Sequence, residues 1–407
     1  MTRHYWNLLH RCAGLVTAGL LIIVAITGSM LAFYPELERL INPQLYPIKV
    51  FKDELDPATI AELTEQRVPN VRVNAVLMEA NQEATLVIID PILDKNGQMG
   101  KLDFNQIIFD PYTGEELARR YFGAISQGMI NFMPFIYELH YTLALGSFGM
   151  WILGICALIW TIDCFVGFYL TLPLPRKKLP TSTSSTLDIK NCWQRWLPAW
   201  KIRWRSSTYK LNFDLHRASG LWSWLILFIF AWSSVYMNLW DTAYTWATRT
   251  VFDYKTPWTE LPKLNEMLHD PKIDWRKAQV IGERFMGEQA KIHDFKILQV
   301  VALRLDRERG IYNYVVRSSR DIQDKRGATH VFFDANTGEF KLVLLPSGQY
   351  SGNTVTSWLY ALHMANIFGL PYRIFVFMLG LIITLLSVTG IVIWLRKRRA
   401  RMGILSS

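Results

Sequence analysis

Cysteine is scarce in this chain. Its 407 residues hold four, Cys12, Cys156, Cys164 and Cys192, and none falls within 36–135 or 241–357. No disulfide framework therefore supports those two segments. Cys156 and Cys164 stand eight apart on one apolar run, about 12 Å along a helix, too far for a bridge. No Cys-x-x-Cys-His occurs, which argues against covalently attached haem. No Gly-x-Gly-x-x-Gly follows a strand, and the connection over 173–210 has fewer than forty residues, too few for a flavin or nicotinamide domain. The first apolar run also lacks a small-residue cleavage pattern behind it, so it reads as a retained span and not as a signal peptide.

Long apolar runs, by contrast, are plentiful. Half the residues are hydrophobic, with sixteen Trp, and the formal charge is +10. Four windows reach the roughly 20 residues that a bilayer-crossing helix needs, near Ala13 to Tyr34, Phe148 to Leu172, Leu221 to Leu239 and Ile374 to Leu395. Arg3 and Arg11 precede the first. Arg176, Lys177, Lys178, Lys190, Arg195, Lys201, Arg203, Arg205 and Lys210 lie between the second and third, and Arg396, Lys397, Arg398, Arg399 and Arg401 follow the fourth. The positive-inside rule puts all of these, and both termini, in the cytoplasm. Glu36 to Phe135 carries 9 Lys and Arg against 15 Asp and Glu, and Asp241 to Ser357 carries 17 against 15. The excess charge thus flanks the spans on one side and is no sign of nucleic-acid binding.

The spans and the segments between them come in matched pairs. Leu9-His10-Arg11-Cys12-Ala13-Gly14-Leu15 opens the first span and Leu215-His216-Arg217-Ala218-Ser219-Gly220-Leu221 the third. In each the glycine sits one turn after the histidine on the same helix face, an expected open surface for a flat macrocycle. Phe109-Asp110-Pro111-Tyr112-Thr113-Gly114-Glu115 is matched by Phe333-Asp334-Ala335-Asn336-Thr337-Gly338-Glu339, and Tyr137-Glu138-Leu139-His140 by Tyr360-Ala361-Leu362-His363. The Asp-x-x-Thr-Gly-Glu stretches predict strands entering tight turns with a left-handed glycine. Late glycines, Gly167 and Gly390, mark spans two and four. Between the spans, helices are expected over Pro57 to Arg67 and Trp275 to Gln289. Strands are expected at Val71 to Met78, Ala84 to Asp90, Phe104 to Asp110, Ile297 to Leu305, Ile311 to Arg317 and Thr329 to Asp334, an α+β composition.

The paired His-Arg-x-x-Gly helices, the two Asp-x-x-Thr-Gly-Glu turns and the Leu-His segments resemble those of the PepSY-associated transmembrane proteins over nearly the whole chain. Within that family the sequence looks like the inner-membrane ferric-siderophore reductases, which carry b-type haem among four helices. The resemblance implies a membrane all-α four-helix bundle with two small α+β, PepSY-like external domains and an internal two-fold repeat. The expected layout is 1–35 first span, 36–135 first external domain, 136–172 Leu-His segment and second span, 173–210 basic connection, 211–240 third span, 241–357 second external domain, and 358–407 Leu-His segment, fourth span and basic tail. It further implies a bacterial inner-membrane protein with periplasmic domains, in contact with lipid. A ferric siderophore is the expected substrate, and a quinol or a cytoplasmic reductase the electron donor.

His10, His140, His216 and His363 are the four of eight histidines in or beside the spans. Neutral imidazoles on facing helices suit a hexacoordinate electron-transfer haem. The topology pairs His10 with His216 at the cytoplasmic end and His140 with His363 at the outer end, so two haems b are expected. Arg11 and Arg217 are candidates for the inner propionates and Arg373 for the outer ones; the alternative for all three is snorkelling to lipid phosphate. On straight helices His140 and His363 would stand about 48 Å from the inner surface, beyond a 30 Å core. Breaks are therefore expected at Gly146 to Gly149 and at Gly369-Leu370-Pro371. Asp163 lies inside span two, where a carboxylate is costly; Ser233 and Ser387 are its candidate partners. A rival reading keeps the spans as an anchor for a non-enzymatic sensor or binding module, and a third makes the chain a haem subunit serving a separate reductase.

Overall fold

The computed structural model describes residues 3–46, 53–78, 84–92, 100–174 and 192–405. The basic Arg176, Lys177, Lys178 and Lys190 and the Ser/Thr-rich stretch 181–186 lie outside them. Among the described residues the helices that matter to the site and the sheet are α1 (Arg3–Leu31), α2 (Tyr34–Ile41), α3 (Pro57–Arg67), α4 (Phe132–Thr142), α5 (Gly146–Thr171), α6 (Thr208–Asn238), α7 (Thr245–Val251), α8 (Trp275–Ile292), α9 (Ser351–His363) and α10 (Gly369–Leu405). The chain divides into two compact units. One comprises Met1–Ala32, Leu139–Tyr244 and Ile374–Ser407, the other Phe33–Glu138 and Thr245–Arg373.

The first unit holds the four long apolar helices α1, α5, α6 and α10, each able by length and composition to cross a membrane. Large apolar side chains such as Val16, Phe148 and Leu225 point outward, as lipid-facing positions do, while α1 buries the small Thr17, Ala18, Ala25 and Ser29. Small residues let helices approach closely in a membrane. Gly380 of α10 lies against Ser29, where an added Cβ would collide with the Ser29 hydroxyl, and that hydroxyl donates to the carbonyl of Phe377 at 3.2 Å. Helix α6 starts thirteen residues before the apolar window expected from Leu221. Its early turns are polar, but the buried Asp214 accepts from Arg203 Nε at 2.6 Å and Arg217 Nη2 at 3.0 Å, which neutralises the charge and lets the helix continue. The chain breaks before α5 and α10, with left-handed φ of +55° and +54° at Leu143 and Ala144 and +51° and +59° at Ala365 and Phe368. The breaks fall just ahead of the expected glycines, and Gly146 and Gly369 start the next helices.

The second unit is built on one sheet. Its strands are β1 (Val71–Leu77), β2 (Thr85–Pro91), β3 (Gln106–Phe109), β4 (Glu116–Arg120), β5 (Ile297–Asp306), β6 (Ile311–Ser318), β7 (Thr329–Asp334) and β8 (Phe340–Leu344), ordered β4-β3-β2-β1-β5-β6-β7-β8. All pairings are antiparallel. This corrects the expectation of two small external domains: β1 pairs with β5 through Ala75↔Arg304, Val76↔Leu303 and Leu77↔Ala302, joining the segments edge to edge. They also share a core, in which Ile60, Val73, Ile107 and Phe109 pack with Met286, Leu303, Tyr312 and Phe333. Fusion removes two exposed strand edges and lets α3 and α8 cover one face together. Their contact is polar as well, since Gln279 Oε1 accepts from Ala58 N at 2.9 Å and Arg276 bonds Asp56 and Glu62. The two turns form as the sequence implies. Asp110 Oδ1 accepts from the Tyr112 and Thr113 amides at 2.7 and 3.0 Å, Asp334 Oδ1 from those of Asn336 and Thr337 at 2.9 Å, and Gly114 and Gly338 take φ of +68° and +73°.

Candidate functional site: a histidine pair among the apolar helices

Helices α1 and α6 bring His10 and His216 together, their ring centres 6.1 Å apart and their planes inclined by 57°. Each ring is oriented through Nδ1. His10 Nδ1 lies 2.9 and 3.0 Å from the two carboxylate oxygens of Asp163 on α5. His216 Nδ1 lies 3.0 Å from the carbonyl of Leu386 and 3.1 Å from Thr389 Oγ1 on α10. A carbonyl only accepts, so the His216 proton sits on Nδ1; the carboxylate imposes the same on His10. Both rings thus present Nε2 as the lone-pair nitrogen, with Nδ1 held by an outer partner as metal-ligating imidazoles are.

Glycines make room for these rings, and they come from the facing helices. A Cβ on Gly167 would stand 3.4 Å from His10 Cε1, and one on Gly390 3.2 Å from His216 Cε1. The same arrangement recurs at His140, which lies 2.9 Å by Cε1 from a Cβ built on Gly28 and whose Nδ1 is 3.0 Å from Thr27 Oγ1. Thr27 and His10 are seventeen residues apart on α1, about 26 Å at the helical rise. His10 and His140 thus mark opposite ends of one helix.

Residues 8–397 match the family described as the PepSY-associated TM region. The chain belongs to the PepSY-associated transmembrane family. No curated protein matches it. As a member of that family the protein is a membrane protein, in keeping with its four long apolar helices.

The remaining candidates of this PepSY-associated protein fall as follows. Arg217, next to His216, bonds Asp214 and the Pro198 carbonyl through Nη2, while its Nε is buried with no hydrogen-bond partner. Arg11 is exposed. Gly14 faces open space, whereas Gly220 meets Leu386 Cδ2 at 3.4 Å from an added Cβ, so the open surface expected beside both rings is found at Gly14 only. The glycines that touch imidazole are Gly28, Gly167 and Gly390. Same-helix spacing could not identify them, because the ring leans on a neighbouring helix. His363 ends α9 in the other unit. Arg373 does not stand ready for a propionate: it is buried, forms a two-pronged pair with Glu36 and lies over the Phe33 ring. Asp163 has neither expected serine as its partner. Ser233 bonds the Phe230 carbonyl of its own helix, and the Asp163 carboxylate goes to His10, 153 positions away. Among the described residues no three His, Cys, Asp or Glu gather into a metal site.

Proposed function

We propose that the protein is a b-type haem reductase of ferric siderophores in the bacterial inner membrane, with both termini cytoplasmic and residues 36–135 and 241–357 periplasmic. The observation that carries this reading is the His10–His216 pair. The two rings stand 6.1 Å apart centre to centre, close enough that both imidazoles would hold one haem iron. Two imidazoles are too few to hold a bare ion, which takes about four protein ligands, but suffice for iron whose other four nitrogens belong to a macrocycle. Asp163, Leu386 and Thr389 hold the two rings by Nδ1, which leaves Nε2 of each as the nitrogen for iron. The buried, unpartnered Nε of Arg217 fits a propionate, and Gly14 leaves open space on α1.

Haem bound there would supply one-electron exchange between Fe(III) and Fe(II). The overall reaction balances with a quinol as donor: one quinol yields a quinone, two protons and two electrons, and two ferric chelates become ferrous. Fe(II) carries less charge and is held less tightly by hard anionic oxygens, so the chelate releases it.

The first test is a pyridine haemochrome assay on protein made with ample haem. About two haems per chain are expected, the second from the sequence pairing of His140 with His363, and His10→Ala or His216→Ala should remove or convert one. The dithionite-reduced protein, freed of reductant under anaerobic conditions, should then be reoxidised by ferric siderophore, with Fe(II) trapped, and not by the iron-free siderophore. Protein without haem would leave an anchored sensor or binding module as the reading. Equal response to both siderophore forms would point to a haem subunit with another acceptor.

A further inference from the structure

The two imidazoles of the pair are held by different chemistry. His216 donates from Nδ1 to a main-chain carbonyl and faces a threonine hydroxyl, both neutral. Thr389 Oγ1 itself donates to the Leu385 carbonyl at 2.6 Å, so it accepts from the ring. His10 faces both oxygens of a carboxylate at 2.9 and 3.0 Å. Asp163 lies within the apolar α5, eight residues before its end at Thr171, and its side chain is only 13 % exposed. A carboxylate at such depth is costly unless a partner holds it. His140, at the other end of α1, has its Nδ1 3.0 Å from the hydroxyl of Thr27. Asp163 therefore sets His10 apart from His216.

We propose that Asp163 is a positioning residue that makes His10 the stronger electron donor of the pair and lowers the reduction potential of the haem held by His10 and His216. The proposal rests on the haem reading above. Two effects of the carboxylate act in the same direction. A hydrogen bond to a charged acceptor draws the Nδ1 proton and raises the basicity of Nε2, the ligand atom. A fixed negative charge beside the site also favours ferric over ferrous iron, because the ferric form carries one more positive charge. A low potential at this end favours handing the electron on.

The test compares full-length wild type with Asp163→Asn, Asp163→Glu, Asp163→Leu and Thr389→Val in detergent. Potentials are read by anaerobic spectroelectrochemical titration, and axial ligation by low-temperature EPR of the ferric protein. In Asp163→Asn the amide oxygen still accepts from Nδ1 but the charge is gone. At a fixed potential the ratio of reduced to oxidised haem should rise at least tenfold, an upward shift of about 59 mV for one electron, with a changed EPR g-spread. Asp163→Glu restores the charge and should stay near wild type. Asp163→Leu, with no acceptor, should bind haem 10 to 100-fold more weakly, the usual effect of losing an outer partner. Thr389→Val leaves the Leu386 carbonyl in place and should shift the potential less than Asp163→Asn does. A haem-loaded wild type with an Asn variant at the same potential would overturn this proposal alone. If the Asn variant does not fold, an Asp163→Glu protein no lower in potential than the Leu variant would overturn it equally. Wild type without haem would remove the haem reading and this proposal with it.

Discussion

Ile107 gives a direct measure of whether the two outer segments are one folding unit. It sits on β3, far along the chain from β5 to β8, yet it is fully buried in the core that also contains Met286, Leu303, Tyr312 and Phe333. Ile107→Ala removes three carbons from a site with no solvent to refill it, a change that costs about 2–5 kcal/mol. At 1.4 kcal/mol per factor of ten this multiplies the open population by between about 30 and several thousand. Ile107→Val, at about 0.5–1.5 kcal/mol, multiplies it by roughly 2 to 13. Hydrogen exchange of the full chain in detergent, read by mass spectrometry, resolves these factors in peptides from each segment. Both variants should speed exchange in β1 and β2 and, by the same factor for the slowest amides, in β6 and β7. Acceleration confined to residues 84–120, with β6 and β7 unchanged, would refute the shared core.

Three further outcomes follow from particular contacts. Desolvation, then the nearby positive charge of Arg304, lowers the His330 pKa from 6.5 to about 3; the folded value is the depressed one, so the stability it brings is complete above pH 6.5 and is lost as pH falls towards 3, by up to about 1.4 kcal/mol per unit. Unfolding of His330→Phe, followed alongside wild type, should lack that portion of the acid sensitivity; parallel pH profiles would show that His330 is not its source. Gly390→Ala places a Cβ 3.2 Å from His216 Cε1 and should reduce haem content, whereas Gly19→Ala, which meets nothing within 4 Å, should not; equal haem in the two proteins would dismiss the close fit. Glu36→Gln strips the charge from the half-exposed partner of Arg373, whose own side chain is 8 % exposed, and should destabilise the sheet unit by up to about 1 kcal/mol, read as a lower protease-resistance midpoint; an unchanged midpoint would show the charge to be dispensable.

Local structure was legible where a residue announces it. The helix expected over Pro57 to Arg67 forms with those bounds as α3, and the structure adds its cap, the Asp56 side chain accepting from the Thr59 amide at 2.9 Å. The Asp-x-x-Thr-Gly turns were equally plain, because only a left-handed glycine closes them. Strands β4 and β8 were missed. Glu-Leu-Ala-Arg-Arg is a short, charged edge strand, and Phe340–Leu344, five residues long, directly follows the turn at the other edge. Edge strands carry the weakest pattern. The start of α6 was hidden for an electrostatic reason, since hydropathy counts Asp214 as a penalty and cannot see Arg203 folding back on it. The histidines of the candidate site could be named from their repeated surroundings. What holds them could not, because Asp163 and Gly167 reach His10, and Leu386, Thr389 and Gly390 reach His216, across more than 150 positions of chain.

The β1–β5 pairing also sets a timetable for biogenesis. Strand β1 is complete at Leu77, while β5 ends at Asp306, 229 residues later (306 − 77). At a synthesis rate of about 5–20 residues per second that interval is roughly 10–45 s. Two further apolar helices must be inserted in the meantime. Throughout, the rim of β1 carries unsatisfied amides and carbonyls on an apolar half-sheet, a template for pairing with any extended chain nearby. Slowing synthesis between residues 77 and 306 should therefore raise the misassembled fraction.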